Sequence, residues 1–214
     1  MLIHPWDHAD ESAWRPWLAA RDFGTLAANG VDGGPPVLVP THFLYTPGKA
    51  DGAGDEVILH LARPNPFWAA VEANPRLTLA VTDDYAFIPG TWRATPETDP
   101  DHGVPTSYYT SVHLIGTGTV VDDPAEKAAL MSRQHARFQP RSAHDPIVPG
   151  EAPFGRMLSA IRCLRLDVEE VRAKAKYDDH KDDDLAARVR KGLGDRALPQ
   201  DAAVAARLDR AARD

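Results

Sequence analysis

The chain has 214 residues, 43% of them hydrophobic, which suits one large domain or one domain with a small appendage. Its formal net charge of -7 gives no bulk electrostatic drive toward nucleic acid or an anionic membrane surface. The single cysteine, Cys163, excludes an intrachain disulfide and fits a reducing compartment, where it reads as a buried core thiol.

The N-terminal run MLIHPWDHADESAW has neither the basic segment nor the apolar core of a secretory leader. No apolar run approaches the ~18–20 residues of a membrane span. The expectation is a soluble, cytoplasmic protein. DESAWRPWLAAR (10–21) predicts a helix capped by Asp10 or Ser12, with Trp14, Trp17 and Leu18 on one face and Pro16 in the first turn if Ser12 is the cap. FGTLAAN, PVLVPTHFLYT and EVILHLA predict three strands in an antiparallel meander, the second bent or interrupted at Pro40. PNPFWAAVEANP predicts a short helix. RLTLAVTDDYAFI predicts one or two strands, bent near Asp83 and Asp84. Residues 90–106 are too rich in Pro, Asp and Thr for regular structure and read as a long loop carrying Trp92 and Arg93. SYYTSVHLIGTGTVVDD is the longest strand signal, and its glycines permit a close neighbour or a bulge. A helix over 124–138 follows, started by Pro124 and capped by Asp122 or Asp123. FGRMLSAI predicts a short helix or turn, and IRCLRLDVEEVRAKAKY a strand. The charged tail predicts one helix at LAARVRKGL and a last one that is peripheral or partly disordered. The strands lack a regular βα repeat, so an antiparallel barrel with helical insertions fits best.

The chain has no G-x-G-x-x-G before a helix, no P-loop, no G-x-S-x-G elbow and no H-E-x-x-H pair. The nine histidines are scattered without metal-ligand spacing, so no metal site is expected. DDHKDDD (178–184) reads as a solvated charged segment. Two groupings carry more chemistry. In HLARPNPFW, His60, Arg63 and Asn65 sit at a strand-to-helix corner. Either Asn65 caps the helix, Arg63 is solvated and His60 makes a local hydrogen bond, or the helix start and Arg63 together receive a phosphate. In TWR and PTSYYTSVH, aromatic Trp92, Tyr108 and Tyr109 flank Thr106 and other hydroxyls. That mixture is either core packing or a pocket for an aromatic ring with a polar edge.

HLARPNPFW, FIPGTWR, VPTSYYTSVHLIGTGTV and MLSAIRCLRLDVEEVRAKAKY occur in order after FGTLAANG and VPTHFLY. As an ordered set, over about residues 1–192, they resemble the FMN-binding negative transcriptional regulator family, the PaiB-like proteins. The resemblance implies an FMN-binding split β-barrel of the pyridoxamine-phosphate-oxidase-like kind, usually a homodimer with flavin at or near the subunit interface. His60, Ala62, Arg63, Asn65 and Pro66 match the family's H-x-A-R-x-N-P. FIPGTWR keeps Ile88 and Trp92 of a Y-I-S-P-x-W-Y-like run. Val104, Pro105, Thr106 and Tyr109 match V-P-T-W-N-Y, while Ser107 and Tyr108 depart from it. His113 and Gly116 match the following V-H-x-x-G. Lys174 and Lys176 match the start of a K-x-K-L-S-Q-N-like run, but YDDHKD follows.

The resemblance therefore implies FMN held by His60, Arg63, Asn65, Trp92, Thr106, Tyr108, Tyr109, His113, Lys174 and Lys176, on a domain spanning 1–177 with a charged helical extension over 178–214. Asp178 and Asp179 are expected to repel a phosphate, which leaves an altered or empty flavin pocket as an alternative. Haem binding or degradation on the same barrel is another. No residue suggests itself as a catalytic acid or nucleophile. The family name implies a transcriptional regulator, and a flavin-dependent oxidoreductase of unassigned substrate is equally open. The absence of a helix-turn-helix signal and of a basic stripe argues against direct contact with nucleic acid.

Overall fold

The computed structural model describes residues 1–48, 54–95, 99–141 and 146–211. Parts of the glycine-rich loop, of the 90–106 segment and of the loop containing His144, and the last three residues, lie outside them. The described chain divides into two compact units: residues 1–14, 82–112 and 172–214, and residues 15–81 and 113–171. Among the described residues, seven strands form one sheet in the order β2-β1-β5-β6-β7-β4-β3.

The 15–81 and 113–171 unit carries β1 (Phe23–Ala28), β2 (Val37–His42), β3 (Leu44–Thr46) and β4 (Glu56–Ala62). It also holds parts of β5 (Arg76–Ile88), β6 (Thr106–Val121) and β7 (Ile161–Lys176). β1 pairs antiparallel with β2 and β5, and β4 with β3 and β7. β2 and β3 stand at opposite ends of the sheet order, yet only Phe43 separates them in the chain. One residue spans at most ~3.5 Å, so the two edges must come together and the sheet closes on itself. Leu26, Leu59, Leu77, Leu79, Leu114 and Leu164 are buried as its core.

Local chemistry explains where these strands start, break and approach each other. The interruption falls at Phe43 rather than Pro40. Pro40 stays within β2, opposite Thr25, because β2 ends the sheet order and its outer side needs no N–H. Phe43 leaves the ladder to donate its N–H to the Asp22 carbonyl at 2.8 Å and bury its ring. In β6, Gly116 and Gly118 permit close neighbours: a Cβ would collide with the Asp167 carbonyl at the first and with Leu77 at the second. The helix α4 (Pro124–Phe138) begins as expected, with Asp123 Oδ1 accepting from the N–H groups of Ala125 and Glu126. Cys163 is buried, and burial pushes its thiol up to about 11.

In the other unit, Asp10 rather than Ser12 caps α1 (Glu11–Ala19), a helix that crosses the boundary between the units. Its carboxylate accepts from the Ala13 N–H at 3.0 Å, which leaves Pro16 inside the helix. β5 is a single strand whose buried positions shift from 77, 79 and 81 to 84, 86 and 88. That one-residue change of phase, with Asp84 at φ 53°, is a bulge at the expected bend. The described parts of the 90–106 segment hold more regular structure than its composition suggests. They include the short helix α3 (Gly90–Arg93) and a 3-10 turn at Pro100–His102, because Gly90 and Gly103 let their backbones meet where any Cβ would collide. The tail forms α5 (Asp183–Arg196) and α6 (Asp201–Ala211). These bury Leu185, Val189, Leu193, Val204 and Leu208, so the last helix is packed.

Candidate functional site

The corner after β4 combines local hydrogen bonds of Asn65 and Trp68 with longer-range ones of Arg63 and His60. Asn65 Oδ1 accepts from the Phe67 N–H at 2.9 Å and starts α2 (Phe67–Ala73), with Pro66 at the cap. The Trp68 indole donates to the Ala62 carbonyl at 2.9 Å. Arg63 donates from Nε to the Ser159 carbonyl at 2.8 Å, and from Nη2 to the Ile161 carbonyl and the Asp122 carboxylate. Its guanidinium thus ties the end of β4 to the start of β7. His60 Nδ1 lies 2.8 Å from Gln134 Oε1, and Gln134 in turn donates to the Ile58 carbonyl. The His42 ring stands edge-on to His60 at 4.9 Å. Burial, then the neighbouring His60, holds His42 below its ordinary pKa. His113 is half-buried on β6.

The other six candidates belong to the 1–14, 82–112 and 172–214 unit. Lys176 Nζ donates to Thr106 Oγ1 at 2.6 Å. Lys174, nearly buried, donates to the Leu2 carbonyl at 2.9 Å, pairs with Asp7 at 3.3 Å and lies 5.7 Å from the Tyr109 ring centroid. Trp92 packs against α5. A Cβ on Gly192 would come within 2.5 Å of its indole, and the Arg196 guanidinium lies 5.0 Å from the ring centroid. Tyr108 is fully buried, with its ring edge-on to Tyr177 at 5.7 Å and its hydroxyl donating to Asp178 at 3.0 Å. Burial, then the Asp178 charge, pushes that phenol well above its ordinary pKa.

Asp178 is the residue that sequence reasoning misplaced. Arg93 donates to its Oδ2 from Nε at 3.1 Å and from Nη2 at 2.8 Å, and only 18% of the Arg93 side chain and 10% of the Asp178 side chain remain exposed. Asp179 pairs with Arg207 at 2.9 Å, and Asp182 caps α5 through the Leu185 N–H. Residues 179–184 of the acidic run are exposed, as expected of a solvated segment, whereas Asp178 is half-buried and paired. The charge at Asp178 is balanced by Arg93, so no unpaired carboxylate stands there. The signal was present in the sequence as the unusual YDDHKD and TWR runs, but the partners lie 85 residues apart.

The ten candidates are thus divided: His60, Arg63, Asn65 and His113 in one unit, Trp92, Thr106, Tyr108, Tyr109, Lys174 and Lys176 in the other. Among the cations, Arg63 and Lys174 each hold a carboxylate, whereas the described hydrogen-bond partner of Lys176 is a neutral hydroxyl. Lys176 with Thr106 can therefore offer donors to an incoming anion with the smallest loss of existing charge pairing. The described residues contain no group of three or more His, Cys, Asp or Glu side chains placed to hold a metal ion.

Solved structures with the same fold include an FAD and heme binding protein from Mycobacterium smegmatis, at 23% identity and TM-score 0.58, covering 83% of this chain and 78% of that one. Conserved hypothetical protein Rv2991 from Mycobacterium tuberculosis is similar at 15% identity and TM-score 0.54, covering 82% and 90%. The flavocytochrome Anf3 from Azotobacter vinelandii is similar at 17% identity and TM-score 0.52, covering 81% and 74%. No curated protein matches the chain. The expected fold holds: the closed antiparallel sheet is a split β-barrel. Residues 1–170 match the family described as "Putative FMN-binding domain", and the chain belongs to that family.

Proposed function

We propose that the protein binds FMN as a split-barrel flavoprotein. The observation that carries this reading is the family match across residues 1–170. The site is compatible with it: Lys176 and Thr106 would hold the phosphate, while the half-buried Tyr109 and Trp92 offer aromatic surface for the ring. Tyr108 and Lys174 would act as supports, because both are buried against groups of the protein itself. Arg63, Asn65 and His60 shape the β4–α2 corner by the hydrogen bonds given above. The bound flavin would supply one- or two-electron chemistry, and the protein its position and electrostatic surroundings.

We further infer a PaiB-like protein, a reading supported by the resemblance of the ordered motif set quoted above. A regulatory role would then act through ligand or protein contact rather than through DNA, in keeping with the net charge of -7. A homodimer fits the outward-facing Tyr85 and Phe87 of β5, each 47% exposed. Haem is the second reading, favoured by the two similar structures whose names include haem or a flavocytochrome. An absorption spectrum of protein purified without added cofactor tests both. The paired visible bands of oxidised flavin are expected. A Soret band would replace FMN by haem, and a colourless protein that stays colourless after incubation with FMN and desalting would overturn the flavin reading.

A further inference from the structure

Three groups converge on one point in the 1–14, 82–112 and 172–214 unit. Arg93 presents two N–H donors and Tyr108 one O–H donor to the same Asp178 oxygen, at 3.1, 2.8 and 3.0 Å. Such a set, a planar guanidinium with a hydroxyl beside it, matches the demands of a phosphate-class oxyanion. The oxygen it receives comes from the chain itself. Asp178 reaches that point from a left-handed backbone, φ 58°, a conformation that favours glycine and is tolerated by aspartate. The donors are held independently of it: Arg93 Nη1 also donates to the Val104 carbonyl, and the Tyr108 ring is packed edge-on to Tyr177.

We propose that Arg93 and Tyr108 form an oxyanion-binding site that the protein fills with its own Asp178 carboxylate. The internal anion satisfies a nearly buried cation that would otherwise be costly. It also keeps external phosphate away from Arg93. On the flavin reading, on which this last consequence rests, the ligand's phosphate is left to Lys176.

The test is phosphate binding by the full-length Asp178→Gly variant, because glycine suits the backbone at φ 58° and vacates the carboxylate's volume. Inorganic phosphate should bind this variant at least about tenfold more tightly than wild type, read by calorimetry and by a phosphate-dependent rise in Tm. Asp178→Asn, which removes the charge but fills the space, should not gain the site. Asp178→Gly combined with Arg93→Met should lose it. If Asp178→Gly is unfolded in phosphate-free buffer, added phosphate should restore its circular dichroism. A folded Asp178→Gly with wild-type response to phosphate, a gain that survives Arg93→Met, or an unfolded variant that phosphate does not restore would each overturn the proposal. None of these readouts requires flavin, so failure of the flavin reading would leave the result interpretable.

Discussion

At the residue scale, the structure separates cations that are committed from one that is available. Arg63 looked like a phosphate ligand because it precedes a helix start, but its donors secure two carbonyls and Asp122. Lys176 keeps one short hydrogen bond to a neutral partner. Exchanging that hydroxyl for a phosphate oxygen would gain a charge-assisted interaction without breaking an ion pair. Lys176→Gln should therefore weaken FMN binding by about tenfold while leaving riboflavin, which lacks the phosphate, nearly unchanged. Equal losses for both ligands, measured by fluorescence titration, would show that Lys176 supports the fold rather than the phosphate.

At the element scale, the seam of the closed sheet brings His42, the last residue of β2, beside His60 of β4. Phe138 of α4 packs edge-on to His42 at 5.4 Å, Gln134 holds His60, and Asp22 is the nearby acidic group that favours a charged His42. Burial and the second imidazole outweigh it, so His42 binds its proton less readily in the folded state than in the unfolded chain. The seam is therefore fully stable above the unfolded-chain value of 6.5 and loses stability as pH falls below it toward the lowered folded value. His42→Phe should flatten the dependence of Tm on pH in that window. An unchanged pH profile would remove His42 as its source.

The same elements show what the sequence could and could not convey. The bounds of α4 and β4 were legible because a cap, a proline and the apolar pattern act within a few residues. The break at Phe43 was not, because Pro40 is a strand breaker only where a neighbour needs its N–H, and β2 lies at the edge. The helix α3 was hidden in a run of poor helix formers, since the Gly90–Gly103 contact that supports it joins segments 13 residues apart. Trp92, Thr106, Tyr108 and Tyr109 were grouped from the sequence, and Lys174 and Lys176 joined them through the resemblance, whereas Arg93 and Asp178 were missed because each looks solvated until the other is in place.

At the scale of the whole molecule, a barrel closed between β2 and β3 belongs to a family described by FMN binding, and carries a C-terminal α5–α6 hairpin beyond the matched residues 1–170. That hairpin shares a unit with the aromatic and cationic candidates: Gly192 and Arg196 pack on Trp92, and Arg188 donates to the Trp92 carbonyl at 3.4 Å. The acidic start of the tail, which from sequence argued against a phosphate ligand, is internally paired at Asp178 and Asp179. No described helix is long and apolar enough to cross a membrane. The central claim is that this chain holds FMN. Titration of FMN with the full-length protein, followed by the change in flavin fluorescence, tests it most directly. Saturable binding with one FMN per chain is predicted, and fluorescence that stays constant as protein is added, together with no FMN retained on the protein after gel filtration, would contradict it.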